Sequence, residues 1–204
     1  GVAVPKGWSV SGKKVAEAAC EIGFPVALKM MSSLLAHKTE AGAVALGLGT
    51  AKAVNAAAVQ MTTDVANHAP KALTDQFLVE AMSPPPLAEL IVTLRNNPQF
   101  GAVLVLGSGG VLVELVGDAV TLLLPATHDE IEKALQSLRI ARLLAGFRGR
   151  PKAELSKIAA QIHTLCQAYL QERATITEIE INPLFVYPDH VCAVDALLHR
   201  VVAS

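Results

Sequence analysis

Asn182 and Asp195 stand thirteen positions apart, each beside a β-rich stretch, in and after the run Glu178-Ile179-Glu180-Ile181-Asn182-Pro183-Leu184-Phe185-Val186. An amide oxygen and a carboxylate are hard donors. A cation such as Mg²⁺ takes oxygen ligands in near-octahedral geometry, one or two from protein and the rest from water and nucleotide phosphates. The run reads as a strand, a tight Pro turn and a second strand, and a hairpin can bring two such side chains together. Glu180 alternates with Asn182 and so shares its face. Isolated Asn and Asp are common at strand ends, so on spacing alone a surface hairpin with ordinary polar residues is the commoner origin of this pattern.

Other residues carry weaker signals of the same kind. Lys29 interrupts the apolar strand Val26-Ala27-Leu28-Lys29-Met30, where a cation must find a partner or shift its pKa. The alternative is a Lys on an edge strand reaching solvent along its own stem. His37-Lys38-Thr39 precedes a Gly-rich stretch, and a neutral imidazole is a competent nucleophile, although a lone His is more often a plain surface residue. Gly107-Ser108-Gly109-Gly110 could let backbone N–H groups approach anionic oxygens. It fits neither the P-loop consensus nor the dinucleotide fingerprint. Glu80 and Glu89 lie at strand ends, where a solvated carboxylate is unremarkable.

The elements that must position these residues follow from pattern and punctuation. Ser11 can cap a helix over 13–22, with Gly23 as its stop. Strands are expected at 26–30, near Val44, at 77–81, 89–94, 102–106, 111–115, 120–124, 177–181, 184–186 and 191–194. Tight turns are expected at Asn96-Asn97-Pro98 and over 107–110. Helices are expected at 51–61, from a Thr127 cap through Ser137, and at 153–171. Ser83-Pro84-Pro85-Pro86 cannot be helix or inner strand, which places a boundary between lobes 1–82 and 83–204. Net charge is −1 and aromatics are 4% of the 204 residues, which speaks against a nucleic-acid surface. Apolar runs are strand-sized, so no membrane span is expected. Cys20, Cys166 and Cys192 are scattered and odd in number, which fits a reducing, cytoplasmic setting without zinc or disulfides.

Taken together, Pro25–Lys29, Ala36–Val44, Phe77–Met82, Asn97–Gly101, Gly107–Glu114 and Glu178–Val186 with Asp195 resemble, in order, the ATP-grasp domain of nucleoside-diphosphate-forming acyl-CoA synthetases and the succinyl-CoA synthetase β subunit. The resemblance implies an α/β (α+β) ATP-grasp fold with two lobes and the nucleotide between them. It implies ATP or GTP with Mg²⁺ as cofactors. Lys29 would contact the nucleotide phosphates, Glu80, Ala81 and Met82 would form the adenine hinge, and Glu89 would hold the ribose hydroxyls. Gly109 and Gly110 would shape the phosphate site, with Glu114 nearby, and Asn182 and Asp195 would bind the metal. His37 would be a phosphorylatable relay. The implied activity is that of an acid–thiol ligase, forming acyl-CoA through acyl phosphate and phosphohistidine. The implied partners are ATP and ADP and a CoA-binding half in the same or a partner chain, with assembly into an oligomer left open. The abrupt start at Gly1-Val2-Ala3-Val4-Pro5 suggests a fragment of a longer chain.

Some positions depart from the family's pattern. Thr93, Asn96 and Leu122 stand where members commonly carry Gly, Arg and Arg, and lost positive charge matters for phosphoryl transfer. A degenerate, non-catalytic regulatory or interaction domain of an acetyltransferase-like protein is therefore the main alternative. A stand-alone carboxylate–amine ligase leaves the His-Lys-Thr segment without a purpose. Arg148, in Gly146-Phe147-Arg148-Gly149, matches a family Arg-Gly turn whose role is open between a structural cap and a substrate contact.

Overall fold

The structure is a computed structural model that describes residues 2–35, 38–110 and 117–201. It divides into two compact units, Pro5–Pro84, and Gly1–Val4 with Pro85–Ser204. His37, Glu114 and the strand expected at 111–115 lie outside the described residues.

The N-terminal unit is a four-stranded antiparallel sheet in the order β1-β4-β2-β3, where β1 is Gly7–Ser11, β2 Val26–Met30, β3 Val44–Leu48 and β4 Gln76–Ala81. Helices α1, Val15–Ile22, and α2, Ala51–His68, pack on one face. Val26, Leu28 and Met30 of β2 join Phe77 and Val79 of β4, Val15 and Ala19 of α1, and Val54, Met61 and Val65 of α2 in one buried cluster. The period of two in a strand then sends Ala27 and Lys29 to the opposite face.

Two local expectations fail here for identifiable reasons. Ser11 closes β1 and makes no side-chain capping bond; a 3-10 turn over Gly12–Lys14 precedes α1 instead. Helix α2 runs seven residues beyond Met61. Thr62 and Thr63 donate their hydroxyls to the carbonyls of Ala58 and Val59 at 2.8 and 3.2 Å, so they satisfy themselves inside the helix.

The C-terminal unit is a six-stranded antiparallel sheet, β10-β8-β5-β6-β7 with β9 on β8. Its strands are β5 Ala88–Asn97, β6 Gly101–Ser108, β7 Ala119–Leu123, β8 Ile176–Val186, β9 Val191–Ala193 and β10 Ala196–Arg200. Its helices are α3 His128–Ser137, the short α4 Ala141–Leu144, and α5 Leu155–Glu172. Leu90, Val92 and Leu94 of β5 and Leu104 and Leu106 of β6 pack with Ile131 and Leu135 of α3 and Ile158, Ile162 and Tyr169 of α5. Thr127 starts α3 with a capping box: its side chain accepts from the Glu130 N–H, and Glu130 accepts from the Thr127 N–H.

The largest correction concerns 176–186. There is no turn at Pro183; β8 is one strand. Its first half pairs with β10 and its last residues with β9, while all of it lies along β5 with a register shift between Leu90 and Val92. Pro183 has no N–H to give a ladder, and a bulge is where a strand tolerates that loss. The chain reverses later, at 187–190, after which β9 and β10 run back along β8 in the same direction, joined at 194–195, where the Val194 N–H donates to the Pro183 carbonyl at 3.2 Å. The Asn96-Asn97 turn is also displaced: β5 continues through Asn97, whose side-chain oxygen accepts from the N–H groups of Gln99 and Phe100 at 2.9 and 3.1 Å. Gly107 and Ser108 belong to β6, which leaves Gly109 and Gly110 as the turn.

Candidate functional site

In the C-terminal unit, five of the predicted residues come together: Glu89, Gly109, Gly110, Asn182 and Asp195. Ala196 pairs with Ile181, and the Asn182 N–H donates to the Asp195 carbonyl at 3.1 Å, so the two oxygen donors stand on neighbouring chain segments. Asn182 accepts from the Gly110 N–H through Oδ1 at 3.1 Å. The Gly109 N–H donates to the Glu89 carbonyl at 2.7 Å. Glycine is required at both turn positions for space. A Cβ on Gly109 would run into the backbone of Leu90, and one on Gly110, at φ +75, into the carboxylate of Glu89. The turn thus holds the amide of Asn182 and the side chain of Glu89 against one small patch of backbone.

Asp118 anchors the approach to this turn. Its carboxylate accepts the Ser108 hydroxyl at 2.6 Å and the N–H groups of Arg139 and Ile140 at 2.8 and 3.1 Å. Burial pushes its pKa up, but the Ser108 bond, the backbone N–H groups and the Arg139 charge outweigh it and hold the carboxyl below its ordinary value. Sequence reasoning missed Asp118; the signal was an Asp directly after Gly117, opposite a Ser in the neighbouring strand.

In the N-terminal unit, Lys29 and Glu80 form an ion pair, Nζ to Oε2 2.7 Å, with both residues buried. β2 is an inner strand between β4 and β3, so a Lys reaching solvent along an edge is ruled out. Ala27 lies opposite Glu80, which makes Lys29 its diagonal neighbour on the same face. Gly7 makes room: a Cβ there would meet Glu80 Cγ at 2.8 Å. Glu80 is thus a buried counter-ion as well as the start of the predicted hinge.

The hinge itself is partly used. The Ala81 N–H donates to the Lys6 carbonyl at 2.8 Å and the Met82 N–H to the Pro25 carbonyl at 3.3 Å. In an antiparallel pair of this kind the facing residue returns a hydrogen bond. Pro25 has no N–H, so the Met82 carbonyl receives nothing from its ladder partner. The side chain of Met82 is exposed. A proline facing the hinge was visible in the sequence but was not connected to it.

Among the described residues, no three His, Cys, Asp or Glu side chains are grouped to hold a metal. Asn182 and Asp195 carry oxygen donors of the kind a hard cation takes in ones or twos from a protein. Of the departures from the family's pattern, Thr93 is buried between Val105 and Glu180, Asn96 pairs with Ala102, and Leu122 packs against the hydrophobic cluster. Two surface cavities, of about 500 and 380 Å³, are lined by Thr39–Gly42 with Asp64, Asn67 and His68, and by Glu132, Gln136 and Lys152–Ser156. Neither includes any of the site residues above. No helix among the described residues is long and apolar enough to cross a membrane.

Comparison with known proteins gives this arrangement a context. The ATP-grasp domain family matches residues 1–199. The β subunit of ADP-forming acetate–CoA ligase I from Pyrococcus furiosus is 31% identical over 86% of this chain and 75% of that protein. Trans-feruloyl-CoA synthase FCS1, from an unknown prokaryotic organism, is 31% identical over 95% of this chain but 27% of its own length. The chain therefore spans about a quarter of such longer relatives and most of the separate β subunit. Among solved structures, the dinucleotide-forming acetyl-coenzyme A synthetase 1 of Ca. Korarchaeum cryptofilum, in complex with coenzyme A, Ca-AMPCP and HgCl+, superposes with a TM-score of 0.90. It is 29% identical and matches 98% of this chain and 87% of that one. A second structure of that protein, with coenzyme A and Mg-AMPPCP and its phosphohistidine segment pointing towards the nucleotide-binding site, matches at 0.81. The fold is that of these structures, and the chain belongs to the ATP-grasp domain family, in the group of the ADP-forming acyl-CoA ligases.

Proposed function

We propose that this chain is the nucleotide-binding part of an ADP-forming acyl-CoA ligase and that it binds Mg·ATP. The observation that carries the reading is the cluster in which Gly110 holds Asn182 beside Asp195 while Gly109 and Gly110 pack on Glu89. Asn182 and Asp195 would hold the Mg²⁺, which would supply positive charge against the charge that develops on the phosphates. Glu89 accepts from the ribose hydroxyls, which a carboxylate does well. Lys29 meets the phosphates, with Glu80 holding its ammonium in place.

Base selection falls to Met82. Its carbonyl, left without a donor by Pro25, is an acceptor. The exocyclic amine of adenine is a donor, whereas the corresponding oxygen of guanine is an acceptor. This favours ATP over GTP.

The role of His37 is carried over from the family. One imidazole nitrogen attacks the γ-phosphorus, the bond from that phosphorus to the β-phosphate oxygen breaks, and ADP leaves. The phosphorylated His then delivers the phosphoryl group to chemistry in a CoA-binding half, in this or a partner chain, where acyl-CoA and acyl phosphate interconvert. The relative solved with its phosphohistidine segment turned towards the nucleotide site supports this reading.

Calorimetric titration tests it. Mg·ATP should bind, binding should need the metal, and Asp195→Ala should weaken it by roughly 10–100-fold, the range seen when even an outer partner of a metal is lost. Mg·GTP should bind more weakly. Incubation with γ-labelled ATP should leave an acid-labile label that His37→Asn removes. Absence of Mg·ATP binding by the unmutated chain would turn the assignment towards a non-catalytic domain.

A further inference from the structure

The segment between α3 and α5 is not explained by any role given above. From Leu138 to Ala153 it contains Arg139, Arg142, Arg148, Arg150 and Lys152 and no Asp or Glu. Among the described residues, Arg142, Arg148 and Lys152 form no salt bridge, and all three are exposed. Arg150 is fixed differently: its Nη2 donates to the Pro86 carbonyl at 3.0 Å, three residues before Glu89. The loop is closed by the Ala153 N–H on the Leu144 carbonyl at 2.8 Å.

Arg148 sits at φ 54, ψ 42, and is the one non-glycine with positive φ among the described residues. Its neighbours Gly146 and Gly149, at φ 93 and 78, occupy such conformations freely. A left-handed conformation costs an L side chain roughly 1–2 kcal/mol, so glycine would suit position 148 better on backbone grounds. Among the described residues the side chain forms no ion pair in return, and its guanidinium lies over the half-exposed Phe147 ring, 5.2 Å from the centroid, a contact worth about 0.5–1 kcal/mol at an exposed site. Strain kept at an exposed residue that makes no structural bond is a pointer to a ligand. Arginine in place of lysine points to planar, two-pronged recognition of an oxyanion.

We infer that the turn 146–150, with Arg148 as its principal donor and Arg142 and Lys152 adding charge, binds a phosphate group. The group belongs either to the nucleotide or to a phosphate of coenzyme A. The Phe147 ring holds the guanidinium flat for the contact. This site is separate from the metal donors Asn182 and Asp195 and does not depend on the nucleotide reading.

The test is calorimetric titration of the whole chain with sodium pyrophosphate, Mg·ATP and coenzyme A in separate arms, for the unmutated protein, Arg148→Gly and Asp195→Ala. Pyrophosphate should bind, should lose roughly tenfold to a hundredfold in affinity with Arg148→Gly, the scale of charged hydrogen bonds, and should keep its affinity with Asp195→Ala. The arm among Mg·ATP and coenzyme A that weakens with Arg148→Gly names the source of the phosphate. Thermal melting provides a second readout: Arg148→Gly should leave Tm unchanged or raise it, because the strained backbone is relieved. No pyrophosphate binding by the unmutated chain, equal binding by Arg148→Gly, or a clear fall in its Tm, which would make Arg148 a structural residue, each overturns the inference.

Discussion

At the scale of single residues, the buried pair Lys29–Glu80 is the most exacting feature. A buried ion pair gains little over an apolar pair of the same shape, but removing one partner leaves an uncompensated charge and costs about 3–5 kcal/mol. Lys29→Met and Glu80→Gln should therefore each lower the urea midpoint markedly, and the double variant should lose much less than the sum. Strict additivity would show that the 2.7 Å contact carries no coupling. Asp118 gives a pH signature. Its folded pKa is lowered, so its contribution is fully present above the unfolded carboxylate value of about 3.9 and is lost as pH falls through the lower folded value. Asp118→Asn should destabilise the chain at neutral pH and flatten the loss of stability below about pH 4. Acid titrations of the two proteins with parallel slopes would contradict this assignment.

At the scale of elements, the sequence was legible wherever local chemistry decided the outcome. Thr127 read as the cap of a helix through Ser137, and it caps that helix, in a box with Glu130; Thr127→Ala should cost about 1 kcal/mol, read as a lower urea midpoint with unchanged m value. The strand Val26–Met30 and the closeness of Asn182 to Asp195 were also readable, from apolar continuity and from strand pairing. What was not readable depended on partners distant in sequence. Pro183 looked like a turn because proline breaks ladders, yet β8 bulges at 182–183 opposite Ile91 of β5, and the pairing that sets this bulge is not encoded within 176–186. Glu80 read on its own as a solvated carboxylate at a strand end, because its partner Lys29 lies on another strand, fifty-one positions away. Gly109 and Gly110 read as a loose phosphate cradle, whereas they are small because Leu90 and Glu89 pass close by. Gly109→Ala must push backbone against backbone and should fold poorly. Gly110→Ala meets the mobile end of a carboxylate and should fold better, but with Glu89 displaced.

At the scale of the whole molecule, the hydrophobic residues form two separate clusters, one confined to the N-terminal unit around Leu28 and Phe77, the other to the C-terminal unit around Leu90 and Tyr169. Among the described residues, no buried aliphatic side chain belongs to both. Each sheet therefore has its own source of stability, and a cavity in one should be felt first by the helices packed on that sheet. Leu28 is fully buried on β2, and Leu28→Ala should cost about 2–5 kcal/mol by lost transfer energy and the void left behind. Native-state hydrogen exchange gives the decisive reading, since it resolves opening by region. Amides of α1, α2, β2 and β4 should exchange faster by the factor that this energy implies, while those of α5 and β5 keep the unmutated rate. The converse variant, Leu94→Ala, should accelerate α3, α5, β5 and β6 and spare α1 and α2. Uniform acceleration across all these elements in either variant would mean that the two clusters open as one cooperative body, and the separation of cores would then have no energetic meaning.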